Sequence, residues 1–590
     1  MPDTHPMDLP EIRLLIAEQL DFKSLQACAL VCKAWHDSFQ PSVWRAFRGE
    51  GYSRSNESAD RRREWLEALR RNAVWIQHFV WHHTFSAHPQ TVSSILIDQC
   101  RSLVSMYVVV NGDTAWESST KLICLNSKTI RQLSLVLVLF ALSGDERRRI
   151  EAWGAGATLL PRLVADLPSL RRLSLHWPST VRFCLRILTA CPALEELALQ
   201  SDIEPSNEDE DGERQHQSSD ITDPITSPSS PFSPFPAIFP RLKRLELRSD
   251  CNDIAFGEQV LARCPALEFL QLGGMPLPVC TSLCNVLRRG DCGEQLREIQ
   301  LTMPFPHPRL VQMGGGEEGR VVSLQILQAT QGMKRLRRVL LVAVAKEDVE
   351  VLAKHHAESL ESLDVKFLAR PCVPGSLWPP LRGLVQSFPH LKTLVVDMSA
   401  MAPDLRTILS TPWVCRQLEV LYLEVSLQLV CKDPALMSYA VTKKTTAKTT
   451  MGEAWEVKEE REAESGAESG ADSKVEIEEE WVQAERVLMT RLSELTRLKR
   501  LRLKVVYSPD DHTAATRITS TCWPLLMHLQ RLQELQLGRH FYISDTTDLC
   551  IMKVCWPRLS LMSCLGVEHH QHRQWMNEHW PSLDLKQPWW

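Results

Sequence analysis

One short phrase recurs along most of the chain, and it limits the possible folds more than any other feature. It reads LPSLRRLSL at 167–175, CPALEELAL at 191–199, FPRLKRLEL at 239–247 and CPALEFLQL at 264–272. It returns as GEQLREIQL (293–301), MKRLRRVLL (333–341), AESLESLDV (357–365), FPHLKTLVV (388–396), CRQLEVLYL (415–423), LTRLKRLRL (495–503) and LQRLQELQL (529–537), with SKTIRQLSL (127–135) as an earlier copy. The shortest separations between first leucines are 24 or 25 residues. In L-x-x-L-x-L the last two leucines stand two apart, so a strand turns both inward and points the residue between them outward. One such strand cannot cover its own apolar face, whereas stacked copies bury a continuous core.

The segments between phrases fit return helices. FCLRILTAC places Leu185 and Leu188 on one helical face, FGEQVLARC does the same with Val260, Leu261 and Cys264, and Pro192 and Pro265 then stop the helices. The expected fold is therefore α/β: a leucine-rich-repeat solenoid with parallel strands inside and helices outside. An ordinary leucine-rich helical protein is the competing reading, and a dozen copies sharing one turn logic argue against it. The Asn or Cys that often satisfies turn groups after the strand is missing, since His176–Trp177 and Gly273–Gly274 stand there. Those turns must be satisfied in another way.

Two stretches interrupt the array. Residues 201–236 are acidic and then rich in Ser and Pro, and residues 441–480 hold 12 Asp or Glu with few apolar side chains. Neither buries enough surface to offset the entropy of ordering, so both are expected to be disordered insertions. The flanking leucine separations of 48 and 80 residues agree, because removing the insertions returns them toward repeat length. The repeats accordingly divide into 64–200, 237–440 and 481–590, the last including a carboxy-terminal cap. Trp575, Trp580, Trp589 and Trp590 in the tail are expected to cover the exposed end of the core.

Composition narrows the function classes. A net charge of -5 over 590 residues does not suggest a nucleic-acid binder or a surface drawn to membranes. The most apolar stretch, LSLVLVLFAL at 133–142, is too short to span a bilayer and reads as a buried strand continuing into its connection. Asp3, Asp8, Glu11 and Arg13 do not make a secretory leader. The 18 cysteines lie mostly beside leucines, the usage of reduced buried hydrophobes, so an intracellular location is expected.

The amino-terminal residues follow a different pattern. DLPEIRLLIAEQL (8–20) starts a helix at Pro10, with Ile12, Leu15, Ile16 and Leu20 as its apolar stripe. Leu25, Cys28, Val31, Cys32, Trp35 and Phe39 continue at helical spacing until Pro41, which is expected to end the helix; Val43, Trp44 and Phe47 close the cluster. A unit this small has more large apolar groups than it can enclose, and such surplus marks a partner surface.

Leu9, Pro10, Glu11, Ile12, Leu15, Ile16, Leu20, Leu25, Cys28, Val31, Cys32, Trp35 and Trp44 resemble the F-box pattern, a leading Leu-Pro, spaced aliphatics, Val-Cys-Lys-x-Trp and a later tryptophan. The resemblance covers residues 7–48. It implies a three-helix domain that docks on a Skp-type adaptor and through it on cullin and RING subunits, selecting a protein client for ubiquitin transfer without performing chemistry. Leu9, Pro10, Ile12, Leu15 and Ile16, with Leu25 and Cys32 added, are the expected adaptor contacts, while Val31, Trp35 and Phe39 are expected to hold the domain together. Residues 49–63 read as a polar connector, after which Trp65 and Leu69 lie on a helix and Ile76, Phe79 and Trp81 take the strand spacing. Outward strand positions Arg172, Ser174, Glu196, Ala198, Arg244, Glu246, Glu268 and Gln271 are candidate client contacts. A non-degradative interaction scaffold is the alternative role.

No phosphate loop, dinucleotide fingerprint or paired-carboxylate motif is present, and no cofactor is expected. The groupings His82, His83, His88 and Cys564, His569, His570, His572 lack a second well-spaced pair, so neither reads as a zinc site. The sequence implies no enzyme, no nucleic-acid ligand and no membrane span.

Overall fold

The computed structural model describes residues 9–48, 59–82, 89–110, 113–137, 159–176, 181–200, 238–248, 259–273, 277–290, 292, 294–302, 324–342, 346–367, 379–398, 412–426, 486, 488–506, 525–537, 546–563 and 570–585. The chain divides into two compact units, Met1–Gln295 and Leu296–Trp590. The stretches 201–236 and 441–480, the histidines at 83, 88 and 569, and Trp589 and Trp590 lie outside the described residues.

The first unit opens with three helices, α1 (Pro10–Ala17), α2 (Phe22–Ala29) and α3 (Lys33–Trp44). Pro10 occupies the first turn of α1, where its missing N–H leaves no bond unmade. Asp21 caps α2 by accepting a 2.7 Å bond from the Ser24 N–H, and that bond holds its carboxyl below the usual range. Pro41 lies inside α3 and does not end it: the helix runs on to Trp44.

Parallel strands then follow: β1 (Ala46–Arg48), β2 (His78–His82), β3 (Ser105–Val110), β4 (Gln132–Leu137), β5 (Arg172–His176), β6 (Glu196–Gln200), β7 (Arg244–Arg248) and β8 (Phe269–Gly273). Each pairs with the next in parallel register. In the second unit β9 (Glu298–Thr302), β10 (Arg338–Val342), β11 (Ser362–Phe367), β12 (Thr393–Met398), β13 (Val420–Ser426), β14 (Arg500–Val506), β15 (Glu534–Leu537), β16 (Leu561–Ser563) and β17 (Asp584–Leu585) do the same. This small helical region followed by parallel strands flanked by helices is a leucine-rich-repeat-like α/β architecture.

The register explains the phrase. Leu173, Leu197, Leu245 and Leu270 align across β5 to β8 and all are buried; Leu363, Leu394, Leu421, Leu501 and Leu535 do so across β11 to β15. The residue before each strand ties the repeats together with its carbonyl. Glu195 O accepts the Lys243 and Arg244 N–H groups at 2.8 and 3.0 Å, and Glu419 O accepts those of Lys499 and Arg500 at 2.7 and 3.0 Å. Strands β6 and β7, and likewise β13 and β14, therefore pair directly although long stretches of sequence separate them.

The structure adds a buried position three residues before the first leucine. Cys191, Cys264, Phe388, Cys415, Leu495, Leu529 and Trp556 fill it, and each carbonyl accepts the N–H of its leucine. Backbone groups at the ends of the return segments find partners here and nearby, while the turns after His176 and Gly273 lie outside the described residues. The Cys191 thiol donates to Val164 O at 3.1 Å, and Trp556 Nε1 donates to Leu526 O at 3.1 Å. Asn126 at the end of a helix accepts from Leu103 N–H at 3.1 Å and donates to Cys100 O and Leu122 O. Burial pushes the Cys191 thiol up to about 12, so this cysteine is a structural hydrophobe rather than a nucleophile.

The return helix Val181–Ala190 buries Leu185, Ile187 and Leu188 on its inner side. In the return before Pro265 the described residues begin with helical Gln259 and close in a 3-10 turn, Leu261–Arg263, and Val260, Leu261 and Cys264 are buried as the pattern requires. Trp580 is also buried, and the Leu583 N–H bonds to its carbonyl as in the other repeats. It serves as a repeat position beside β17.

Candidate functional site

The three-helix module has a small closed core. Ala17, Leu25, Ala29 and Phe39 are buried, with Ile16, Leu20, Cys28, Trp35 and Val43 packed around them. Phe39 is fully buried and the Trp35 ring lies 5.4 Å from it. Its inward side on α1 includes Arg13 and Ala17, so Ile12, Leu15, Ile16 and Leu20 are not the single inward stripe that their spacing suggested: Leu15 is 61% exposed.

What remains outside this core is large and apolar. Leu9, Leu14 and Leu15 project from α1 and the residue before it, Phe22 from the start of α2, and Leu30 and Val31 from the α2–α3 turn, where Leu30 is 84% and Val31 62% exposed. Pro10 and Cys32 are exposed beside them, and Ile12 and Ile16 are half-buried. Two assignments change. Leu25, only 7% exposed, belongs to the module's own core and is withdrawn from the expected adaptor contacts, whereas Val31, expected to hold the domain together, faces outward. Leu14, Phe22 and Leu30 are exposed as well, which helical periodicity alone does not reveal.

The module is joined to the strands without a break. Arg45 follows α3, and its carbonyl accepts the Gln77 and His78 N–H groups, both at 2.9 Å. Next to it, β1 pairs with β2, and the buried Phe47 ring lies 5.8 Å from Phe79, 6.0 Å from Trp65 and 6.3 Å from Trp81. Gln40 on α3 donates to Asn72 at the end of α4 (Ala59–Asn72) at 3.3 Å. The expected connector thus begins after a strand that already belongs to the sheet.

The outward strand residues form rows. Arg172, Glu196 and Arg244 occupy one row, and Ser174, Ala198, Glu246 and Gln271 the next. Arg172 pairs with Glu196 at 3.0 Å, Arg244 bonds Glu246 at 2.6 Å, and the Arg244 guanidinium lies 3.5 Å from the Phe269 ring centre. Two expected contacts are displaced. Gln271 is in the row but only 2% exposed, and Glu268 lies one residue before β8, where the outward position belongs to Phe269.

Among the described residues no cluster of three His, Cys, Asp or Glu is placed to hold a metal ion, and no helix is long and apolar enough to cross a membrane.

Residues 10–48 match the family model described as F-box-like. Among curated proteins none matches the chain. A solved structure described as "Crystal structure of TLR13-ssRNA13 complex" is similar at 11% identity and a TM-score of 0.27, covering 83% of this chain and 65% of that one. This chain thus spans less than two thirds of that protein's length, and so distant a likeness carries no functional argument. An F-box-like module joined to a leucine-rich-repeat-like array is the architecture of a non-enzymatic protein-interaction module.

Proposed function

We propose that this chain is the substrate-recognition subunit of a cullin-RING ubiquitin ligase. Its F-box-like module docks on a Skp-type adaptor, which links it to cullin and RING subunits, and its strand faces hold a protein client. The observation that carries this reading is the contrast within the module: its core is complete around Phe39, yet Leu9, Leu15, Leu30 and Val31 stay uncovered. Burying such side chains against a partner releases about 25 cal/mol per Å² of apolar surface, and one anchor typically contributes about 2 kcal/mol or more. The direct pairing of β1 with β2 supports the mechanism, since ubiquitin transfer depends on holding a client lysine in a fixed position relative to the conjugating enzyme.

The test is co-purification of the adaptor with a Leu9→Ala, Pro10→Ala double variant. Binding is expected to be lost while the unfolding midpoint of the repeats stays unchanged, and undiminished binding rejects the docking face. Client turnover separates a ligase subunit from a scaffold. A client that accumulates only when cullin neddylation is blocked marks degradation.

A further inference from the structure

The second outward row of the carboxy-terminal unit runs Val395, Tyr422, Arg502, Gln536 across the adjacent strands β12 to β15. Below it, Lys499 meets Glu419 at 2.7 Å and Arg500 meets Glu534 at 3.6 Å. The other oxygen of Glu534 accepts from Gln536 Nε2 at 2.6 Å. Glu419 and Glu534 are therefore both engaged. Arg502 is exposed, its guanidinium lies 6.0 Å from the Tyr422 ring centre, and among the described residues it meets no carboxylate. An arginine held beside an aromatic ring keeps its fork of donors oriented, at little cost, for an incoming oxyanion.

We propose that this row is a recognition subsite for an acidic segment of a protein client. Arg502 takes one Asp or Glu carboxylate of the client in a forked pair, and the half-buried Val395, Val420 and Tyr422 take the neighbouring apolar side chain. The row spans about 14 Å at the usual strand spacing, the reach of roughly four extended residues. A peptide fits better than a nucleic acid. A phosphodiester chain carries a charge at every step, whereas this row offers one cation, Arg502, with Val395 and Tyr422 to one side, so a peptide can place one acid over Arg502 and apolar groups beside it. The proposal rests on the client-binding half of the reading above and names the chemistry of that client.

The experiment selects random twelve-residue peptides displayed on phage against the full chain. Asp or Glu beside an aliphatic or aromatic residue is expected to be enriched. A synthetic copy of the selected peptide should bind Arg502→Ala about tenfold or more weakly than the parent, with Arg502→Lys in between because it keeps the charge and loses the fork. Melting curves of both variants confirm that the unit stays folded. Selection without acidic preference, equal binding to Arg502→Ala, or stronger competition by a single-stranded RNA of the same length would overturn the proposal. The Leu9→Ala, Pro10→Ala chain keeps the two readings apart: it should bind the peptide normally, and Arg502→Ala should retain the adaptor.

Discussion

The helical module and the repeats treat leucine in opposite ways. In the repeats, Leu194, Leu267, Leu360 and Leu498 are hidden along with the strand leucines, because each strand is flanked by the next copy and covered by a return segment. In the module only Leu25 is buried, while Leu9, Leu14, Leu15 and Leu30 face outward. A stack completes its own core by repetition, whereas three short helices close around a few side chains and leave the rest exposed. The surfaces left over differ accordingly, apolar on the module and polar with paired charges on the strands.

The contrast is broken most severely by Phe39→Ala, which should cost about 4 kcal/mol and unfold the module. Hydrogen exchange is the measurement, with protection lost across residues 10–44 and kept in β3 to β7. Retained protection in the module would mean that its core is larger than the four buried residues.

The next largest effect is on the repeat side and depends on pH. His356 is buried, its ring lies 3.0 Å from the Thr330 hydroxyl, and that hydroxyl donates to Leu327 O, so the ring donates to it through Nε2. Burial, with a smaller contribution from His355, lowers the pKa of His356 from 6.5 to about 4. Above pH 6.5 the ring is neutral whether folded or unfolded and has no effect. Between 6.5 and 4 only the unfolded chain takes the proton, so stability falls as pH falls, by about 3 kcal/mol at the lower limit. His356→Leu should flatten that slope in urea titrations from pH 7 to 4, and an unchanged slope would place the sensitivity elsewhere.

Asn126→Ala should cost about 2 kcal/mol by orphaning the Leu103 N–H and two carbonyls, read from the urea midpoint. Lys392→Ala removes the 2.8 Å pair that helps hold the Glu361 carboxyl below its usual range, yet the lysine is exposed and the loss should stay near 0.5 kcal/mol. The smallest stability change is expected for Leu15→Ser, under about 0.5 kcal/mol, because that side chain is mostly exposed and lies outside the module's core. The same substitution should abolish adaptor co-purification, which sharpens the contrast between a residue needed for folding and one needed for a partner.

The strands were legible because alternation inside each phrase assigns every residue to a face. CPALEELAL gives Leu197 and Leu199 inward and Glu196 and Ala198 outward, as β6 has them. Copies built from other apolar residues were harder to see. Leu103 before β3 with Met106 and Val108 in it, and Leu559 before β16 with Met562 in it, obey the same spacing, and Trp556–Pro557 and Trp580–Pro581 open the β16 and β17 repeats as Cys191–Pro192 opens that of β6. Outward polarity misled twice, since Phe269 occupies the place that Glu268 was expected to take and Gln271, although in the outward row, is buried. On α1 the apolar residues at 9, 12, 14, 15 and 16 fit two helical faces, and tertiary packing chose the one with Arg13 and Ala17. The basic alternation in RLRLK (500–504) was readable as sequence, but whether its charges were already neutralised required the neighbouring strands.

The place of β1 at the head of the sheet has a practical consequence for dissecting the protein. A fragment cut after residue 48, where the helical match stops, would lose Phe47 from its aromatic neighbours and open the hydrogen-bonding edge of β2 to a stray chain. Such a truncation would aggregate for reasons unrelated to adaptor loss. A fragment meant to isolate client binding should start at Arg45, so that the sheet keeps its own first rung.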